Sequence, residues 1–237
     1  MSRITAIRIV NRSGRDSNTR AKVVLDDQLI FTLETETVVR QGLQVGQELS
    51  DNQVEELTRE GYFSRCLNAA THFLSYRPRS EFELRKRLNQ RDFEKNVIEA
   101  VLTRLKEQGL VDDVAFAQFW KENRDTFSPR SRWLTGLELR RQGVAADVID
   151  SVVDDVDDSY NAYRAAYSRV RRLPLSDYQT FRQRLGDYLK RRGFSYGVIS
   201  DTVKRLWHEL EQEQQTTSLE SPKNNNNRNG KESEVRI

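Results

Sequence analysis

The chain has 237 residues, of which 36% are hydrophobic and 32% charged, with a net charge of +3 and an isoelectric point near 9.0. This balance favours a slender, surface-rich helical protein over a thick globular core, and the basic excess is a weak indication of an anionic partner. A single cysteine, Cys66, excludes an intrachain disulfide, and no apolar run approaches the ~18 residues that a membrane span requires. Because the N-terminus also lacks an apolar signal stretch, we expect a reduced, cytoplasmic protein that does not associate with membranes.

The first 49 residues show a strand-like alternation of apolar and polar side chains. Ile7 and Ile9 flank Arg8, and Asp26-Asp27 fit a tight turn into a second alternating run. We therefore predict a small β-rich module over residues 1–49. At Ser50 the apolar period becomes helical, and a connecting helix is predicted for residues 50–63, with Ser50 and Gln53 as a capping box.

An internal repeat of about fifty residues organises the rest of the chain. Leu88, Leu139 and Leu189 stand 51 and 50 residues apart. Three further apolar columns keep these offsets: Phe93, Val144 and Phe194; Ile98, Ile149 and Ile199; and Leu102, Val153 and Val203. The same alignment places Asp92, Gly143 and Gly193 in one column. A consistent offset over four columns is hard to obtain by chance.

Each repeat has room for three short helices. In the third repeat, three stripes with helical spacing are visible: Tyr160, Tyr163, Tyr167 and Val170; Tyr178, Phe181, Leu185 and Tyr188; and Ile199, Val203, Leu206 and Leu210. Ser80 and Glu83 fit a capping box, and Gly109 fits a helix C-cap. The predicted fold is mainly α: three tandem three-helix repeats (64–109, 110–157 and 158–211) preceded by the β-rich module. Residues 212–237 have few apolar side chains and are predicted to be disordered.

A search for catalytic or metal-binding patterns finds none. There is no glycine-rich phosphate loop, and the two histidines, His72 and His208, lie far apart in sequence. Asp112-Asp113 invites a metal or acid–base interpretation. The pair directly precedes an apolar helical run, however, where carboxylates cap free backbone N–H groups and favour the positive end of the helix dipole. We prefer that capping interpretation and predict no catalytic residue, no metal and no cofactor.

Charge is segregated along the repeats. The first has ten Lys/Arg against six Asp/Glu (net +4), the second six against ten (net −4), and the third, counted over residues 158–210, eleven against five (net +6). The candidate partner- or DNA-binding residues are Arg77, Arg79, Arg85, Lys86, Arg87, Arg130, Arg132, Arg140, Arg141, Arg182, Lys190, Arg191 and Arg192. Two interpretations stay open: solvated helix surface whose terminal cations favour the dipole, or a surface that follows nucleic-acid phosphates without reading base sequence.

Several segments together resemble the RecX family. Leu105 to Asp113 (LKEQGLVDD), Phe116-Ala117 and Trp120 are similar to the family's central segment. Tyr76 to Ser80 with Glu83-Leu84, and Ser128 to Ser131 with Leu137, Leu139-Arg140 and Gly143-Val144, fit as well. The resemblance covers about residues 64–210. The motif residues to which it assigns a structural role are Gly109, Leu110, Asp112, Asp113, Phe116, Ala117, Trp120, Leu139 and Gly143.

The resemblance implies a fold of tandem three-helix units and a regulatory function in homologous recombination, DNA repair and the SOS response. RecX proteins bind RecA and RecA filaments on single-stranded DNA, and they modulate RecA ATPase and strand exchange, usually by inhibition. No enzymatic activity or cofactor accompanies the fold, and a monomer is expected. The β-rich module and the Asn-rich tail are additions to the shortest family pattern. The alternative is a free-standing DNA-binding regulator, because three-helix units can resemble helix-turn-helix domains.

Overall fold

The computed structural model describes residues 1–10, 20–170 and 177–220. Within these ranges four strands and one short helix between the last two strands precede a series of helices. The strands are β1 (Ser2–Val10), β2 (Arg20–Leu25), β3 (Leu29–Glu34) and β4 (Glu48–Leu49). The helices are α1 (Thr35–Arg40), α2 (Asp51–Leu74), α3 (Glu81–Asn89), α4 (Lys95–Glu107), α5 (Asp113–Phe127), α6 (Arg132–Arg141), α7 (Ala146–Val153), α8 (Asp158–Val170), α9 (Tyr178–Arg191) and α10 (Tyr196–Glu220). A mainly helical chain with a small N-terminal β-rich module is therefore confirmed.

The four strands form one antiparallel sheet in the order β3-β2-β1-β4. The predicted turn at Asp26-Asp27 is confirmed, since both residues have positive φ (47° and 57°) and Gln28 N–H donates to the Leu25 carbonyl at 3.0 Å. Two left-handed central residues match the twist of a hairpin, and aspartate tolerates that conformation. The strand pattern did not anticipate α1, and Ile9, at the end of β1, is exposed.

Helix α2 packs against the sheet at Gly61, where a Cβ atom would lie 2.4 Å from the Thr32 carbonyl oxygen. Its capping box is confirmed, because Ser50 accepts from the Gln53 N–H while the Gln53 side chain accepts from the Ser50 N–H. The helix runs without interruption to Leu74. The predicted connecting helix over 50–63 is thus not a separate element, because no helix-breaking residue with a loop conformation separates it from residues 64–74.

The described residues form two compact units. The first comprises Met1–Asn123 with Gly136–Asp154, and the second comprises Arg124–Thr135 with the described residues from Asp155 onward. In the first unit, α2, α3 and α4 enclose a core around Cys66, Leu84 and Leu105. The repeat boundaries at 109/110 and 157/158 remain predictions, but the aligned apolar columns are core positions: Leu88, Leu139 and Leu189 are all fully buried.

In the second unit, α8, α9 and α10 pack around Phe181, Leu185 and Val203. The predicted stripe on α8 is wrong at two of its four positions. Val170 is buried and Tyr163 packs against the core, as predicted, but Tyr160 and Tyr167 are exposed. The other buried positions include Ala162, Ala165 and Ala166. Small alanines let the neighbouring helices approach closely, and the tyrosines, with one apolar body and one polar tip, stay at the edge.

The predicted tail begins too early. Helix α10 continues to Glu220, because the chain from Glu209 to Glu220 is rich in Glu and Gln, which have good helix propensity and need no buried face. The indole N–H of Trp207 also donates to Glu211 one turn later, at 2.6 Å. Residues 221–237, including the asparagine run, lie outside the described residues. None of the described helices is long and apolar enough to cross a membrane.

Candidate nucleic-acid interface

The N-terminus of α3 is closed by side chains from elsewhere in the first compact unit. Ser80 Oγ accepts from the Glu83 N–H at 3.1 Å and donates to the Gln142 carbonyl, at the end of α6, at 2.7 Å. Asp113 Oδ1 accepts from the Glu81 N–H at 2.9 Å. The predicted capping box at Ser80 is therefore only half formed, because the Glu83 carboxylate pairs with arginines instead of returning to the cap.

The second compact unit contains an equivalent junction at the N-terminus of α6. Ser131 Oγ accepts from the Leu134 N–H at 3.1 Å, and Asp158 Oδ1 accepts from the Arg132 N–H at 2.7 Å. The Ser131 N–H donates to the carbonyl of Arg192, at the end of α9, at 3.1 Å. In each junction a serine caps its own helix, an aspartate supplies a second acceptor, and a carbonyl at the end of a later helix accepts a hydrogen bond from the serine.

These junctions explain the Asp112-Asp113 motif. Asp112 Oδ1 accepts from the Val114 and Ala115 N–H groups at 2.8 and 3.2 Å, which is the predicted capping role. Asp113 instead caps the N-terminus of α3 by accepting the Glu81 N–H. Burial raises the pKa of the Asp113 carboxyl, and the hydrogen bond from the Glu81 N–H opposes that rise. Its position is that of a structural link between helices.

The remaining motif residues support the packing of α5, α6 and the loops at their ends. Phe116, Ala117 and Leu139 are buried, and the Trp120 indole donates to Glu138 at 3.0 Å. Gly109 and Gly143 have φ of 67° and 79°. Leu110, by contrast, is an exposed side chain.

Several of the predicted binding cations are committed to internal ion pairs around Glu83. Arg77 and Arg87 lie 2.7 and 3.2 Å from its Oε1, and the buried Arg79 pairs with the same oxygen. Burial alone would raise the pKa of Glu83, but the charges of Arg77 and Arg79 outweigh this effect and hold the pKa below its ordinary value. Arg79 also donates to the Phe73 carbonyl at 2.8 Å. This cluster stabilises the first repeat and leaves these guanidiniums little freedom to meet a ligand.

Arg85, Arg130 and Arg192 also have structural partners. Arg85 pairs with Glu81 and, at 2.7 Å, with Glu99. Arg192 donates to Ser128 Oγ at 2.9 Å and to the Pro129 carbonyl at 3.0 Å. Burial, followed by the charges of Arg124 and Arg192, lowers the pKa of the half-buried Arg130.

The other predicted cations are exposed. Lys86 lies on α3, Arg132 begins α6, and Arg140 and Arg141 end it. Arg182, Lys190 and Arg191 lie on α9. Helix α9 buries Phe181, Leu185 and Leu189, so these three cations project from its remaining surface. Among the described residues no carboxylate pairs with any of these three, and Arg182 donates instead to the Tyr196 hydroxyl at 3.3 Å.

Sequence analysis missed Arg184 and Lys204, which are exposed in the same unit, and it placed Tyr178 in the core although about a third of its surface is exposed. The signal for the cations was present in the charge count of the third repeat. Helical spacing alone does not distinguish a buried tyrosine from a half-exposed one, because both follow the same period.

No three His, Cys, Asp or Glu side chains of the described ranges come together in a way that would hold a metal ion. Cys66 is buried, and burial raises the pKa of its thiol to about 11. A thiol with so high a pKa stays protonated at neutral pH and is a poor nucleophile. Cys66 therefore acts as a small core side chain of the first repeat.

Comparison with known proteins identifies the family. The models of the first and third three-helix domains of RecX match residues 66–105 and 157–203. Regulatory protein RecX of Mycobacterium sp. (strain JLS) is 36% identical over 137 residues, which are 55% of this chain and 75% of that protein. This chain belongs to the RecX family. Membership gives it a RecX regulatory role, in keeping with DNA repair and recombination.

The similarity to RecX extends over most of the chain. Regulatory protein RecX of Clostridium perfringens (strain SM101) is 27% identical over 211 residues, covering 87% of this chain and 97% of that protein. A crystal structure of regulatory protein RecX superposes with a TM-score of 0.58 at 23% identity, covering 85% of this chain and all of that one. RecX from Lactobacillus salivarius gives a TM-score of 0.52 at 21% identity over 61% of this chain. Both RecX structures therefore share the fold of this chain.

Proposed function

We propose that this RecX family member binds RecA filaments on single-stranded DNA and restrains RecA ATPase and strand exchange, as a cytoplasmic monomer without catalytic activity of its own. The observation that carries the proposal is the face of α9, where Arg182, Lys190 and Arg191 are exposed and no carboxylate of the described residues pairs with them. Unpaired cations on a regular helix suit a phosphate backbone, which attracts them regardless of base sequence.

The charge difference between the repeats supports a filament over bare DNA as the target. The third repeat, counted over residues 158–210, carries a net charge of +6, whereas the second carries −4. A purely DNA-binding array gains nothing from an acidic repeat, since phosphates repel it. A ligand that presents both phosphates and a basic protein surface complements both repeats, and a nucleoprotein filament is such a ligand.

Hydrogen-bonded junctions support a regulator that acts through its shape. The serine caps join the starts of α3 and α6 to the ends of α6 and α9, and the aspartates join the same starts to the starts of α5 and α8. Satisfied caps of this kind hold neighbouring helices at fixed spacing. A unit held in this way that contacts RecA would oppose the changes between adjacent RecA protomers that accompany nucleotide turnover.

The test is the DNA-dependent ATPase of RecA on a long single strand, measured with increasing amounts of this protein. We expect the rate to fall in a saturable manner, together with strand exchange. An unchanged rate with no binding of the protein to RecA-coated strands would contradict the proposal.

The same binding measurement separates the alternative, a free-standing DNA-binding regulator. Fluorescence anisotropy is measured on RecA-coated single strands, on bare single strands and on duplex at the same salt concentration. We expect the filament to be preferred. Equal affinity for naked duplex would favour the helix-turn-helix-like regulator instead.

A further inference from the structure

A groove of about 360 Å³ runs between α9 and α10 in the second compact unit. Gly186, Ile199 and Val203 provide its apolar lining. Its other lining groups are two cations, two aromatic rings, two amides, one hydroxyl and one carboxylate: Arg182, Lys190, Tyr178, Tyr196, Gln179, Gln183, Ser200 and Asp187. The groove therefore combines an apolar surface with aromatic and cationic groups.

The first repeat has the equivalent groove between α3 and α4, also of about 360 Å³. Shifting its lining residues by the combined repeat offset (51 and 50 residues) places every one of them at a lining position of the groove in the third repeat. Phe82, Arg85, Lys86, Asn89, Lys95, Ile98 and Glu99 correspond to Gln183, Gly186, Asp187, Lys190, Tyr196, Ile199 and Ser200. The two grooves are one feature of the repeat with different chemistry.

An ion pair spans the first groove. Arg85 on α3 pairs with Glu99 on α4 at 2.7 Å, and Arg85 and Lys106 both pair with Glu81. At the positions of Arg85 and Glu99 the third repeat has Gly186 and Ser200, so this ion pair has no counterpart there. At the position of Glu81 it has a cation, Arg182. The groove of the third repeat is therefore not bridged in this way, and no described carboxylate pairs with Arg182 or Lys190.

Two tyrosines expose their rings beside these cations. Tyr196 is 75% exposed, and its hydroxyl accepts a hydrogen bond from Arg182 at 3.3 Å. Tyr178 is 37% exposed, and its ring meets Trp207 edge-to-face with centroids 5.3 Å apart. Each ring is thus held by a neighbour. Aromatic faces next to cations are the recurring arrangement for single-stranded nucleic acid, whose bases stack while the phosphates meet the positive charges.

We propose that the α9–α10 groove holds unpaired bases of single-stranded DNA, with Tyr196 as a stacking platform and Arg182 and Lys190 beside the phosphates; this inference rests on the proposed function for its ligand. Gln179 and Gln183 are suited to hydrogen bonds with base edges, since an amide both donates and accepts. Duplex DNA offers no free base face to the tyrosines. A strongly acidic peptide would leave the exposed rings of Tyr178 and Tyr196 without a role.

The experiment compares oligo(dT) with an abasic strand of the same length, by anisotropy with the full-length protein and without RecA. Tyr196→Ala is expected to weaken binding to oligo(dT) roughly tenfold, the scale of losing one stacked base, and to leave binding to the abasic strand unchanged. Tyr196→Phe keeps the ring and is expected to bind as the unaltered protein does. Tyr160→Ala is the matched control, because Tyr160 is also an exposed tyrosine beside an arginine, Arg164, but lies on α8 away from the groove.

Photocrosslinking with 5-iodouracil in the oligonucleotide gives a second measurement that does not depend on affinity. The crosslink is expected in the peptide that contains Tyr178 or Tyr196. A crosslink only elsewhere, or equal loss in the Tyr196→Ala and Tyr160→Ala variants, would overturn the groove assignment. If poly-glutamate displaced the labelled strand but unlabelled oligo(dT) did not, at equal ionic strength, the assignment would be overturned in favour of an acidic peptide.

Binding to RecA-coated strands separates this inference from the proposed function. If Tyr196→Ala restrains RecA ATPase normally and binds bare oligo(dT) normally, the groove inference fails and the proposed function stands. If the unaltered protein binds bare oligo(dT) through the groove but does not bind the filament, the proposed function fails and the groove inference stands.

Discussion

Asp113 caps a helix other than its own: its carboxylate accepts the backbone N–H of Glu81, thirty-two residues earlier, at 2.9 Å. The neighbouring Asp112 caps α5 itself. Asp157 and Asp158 repeat this division, since Asp157 accepts from the start of α8 and Asp158 from the Arg132 N–H. A pair of adjacent aspartates is thus the local device by which one three-helix unit is joined to the preceding one.

The first prediction concerns this device. Asp113→Ala removes the acceptor for the Glu81 N–H and is expected to lower the free energy of unfolding by about 0.5–2 kcal/mol, the usual effect of losing a cap. Asp113→Asn keeps an oxygen acceptor and relieves the penalty that burial places on the charged carboxylate, so its effect is expected to be smaller. Urea denaturation followed by circular dichroism measures both. A larger loss for the asparagine variant would contradict the capping role.

The second prediction separates backbone strain from packing at two glycines. Gly109 and Gly143 both have positive φ, but a Cβ at Gly109 meets open space, whereas one at Gly143 would lie 2.4 Å from the Cβ of Phe82. Gly109→Ala is expected to destabilise by about 1–2 kcal/mol, the strain of a left-handed residue. Gly143→Ala adds overpacking of about 1–3 kcal/mol. Equal thermal shifts for the two variants would show that Phe82 moves aside freely.

The third prediction concerns acid stability. The pKa of Glu83 in the folded protein lies below its ordinary value. Its contribution to stability is therefore present above the pKa of the unfolded chain and is lost as the pH falls through the lowered folded pKa. Glu83→Gln leaves the buried Arg79 without its counter-charge and is expected to destabilise by about 3–5 kcal/mol at pH 7. The difference from the unaltered protein is expected to shrink on acidification.

Glu107→Gln is the control for that experiment, because Glu107 is an exposed carboxylate whose contact with Arg104, at 3.9 Å, is loose. Exposed pairs contribute at most about 1 kcal/mol. The prediction is tested by the denaturant midpoints of the unaltered protein and of both variants between pH 3 and pH 7. If the Glu83→Gln variant kept a constant difference from the unaltered protein across this range, the ion cluster would not account for the pH dependence.

The fourth prediction tests the exposed cations of α9. Changing Lys190 and Arg191 to Glu is expected to weaken binding to RecA-coated single strands and to flatten its salt dependence, by about 0.7 in the log–log slope for each phosphate that is no longer neutralised. Arg192 stays unchanged, because its hydrogen bonds to Ser128 and Pro129 join two parts of the second unit. A substitution at Arg192 would alter folding as well as binding, so the two effects could not be separated.

The matched control is the same reversal at Arg140 and Arg141, which end α6 as Lys190 and Arg191 end α9. The second repeat is net negative, so this pair is expected to affect the salt slope less. Circular dichroism monitors folding for both variants. An unaltered slope and full affinity in the Lys190/Arg191 variant would assign these cations to solvated surface.

The residue pattern alone was sufficient for the repeat. Leu88, Leu139 and Leu189 stand at one offset in the chain and are all buried, because equivalent helices bury equivalent faces. The turn at Asp26-Asp27 and the cap at Ser50 were also predictable, since both depend on residues within four positions of each other. The same local logic assigned Asp112 to the start of α5.

Side-chain partners distant in sequence were decided only by the tertiary structure. The sequence predicted thirteen cations as candidate binding residues. In the structure Arg79 and Arg192 bond to groups within their own units, whereas Lys190 and Arg191 are exposed. Helical spacing placed Tyr160 in a core that alanines fill. The physical reason is that periodicity records which face a residue occupies, whereas burial and pairing depend on the elements that pack against that face. Only packing brings Asp113 to Glu81, and only packing forms a groove at Gly186 that lacks the Arg85–Glu99 ion pair of the equivalent one.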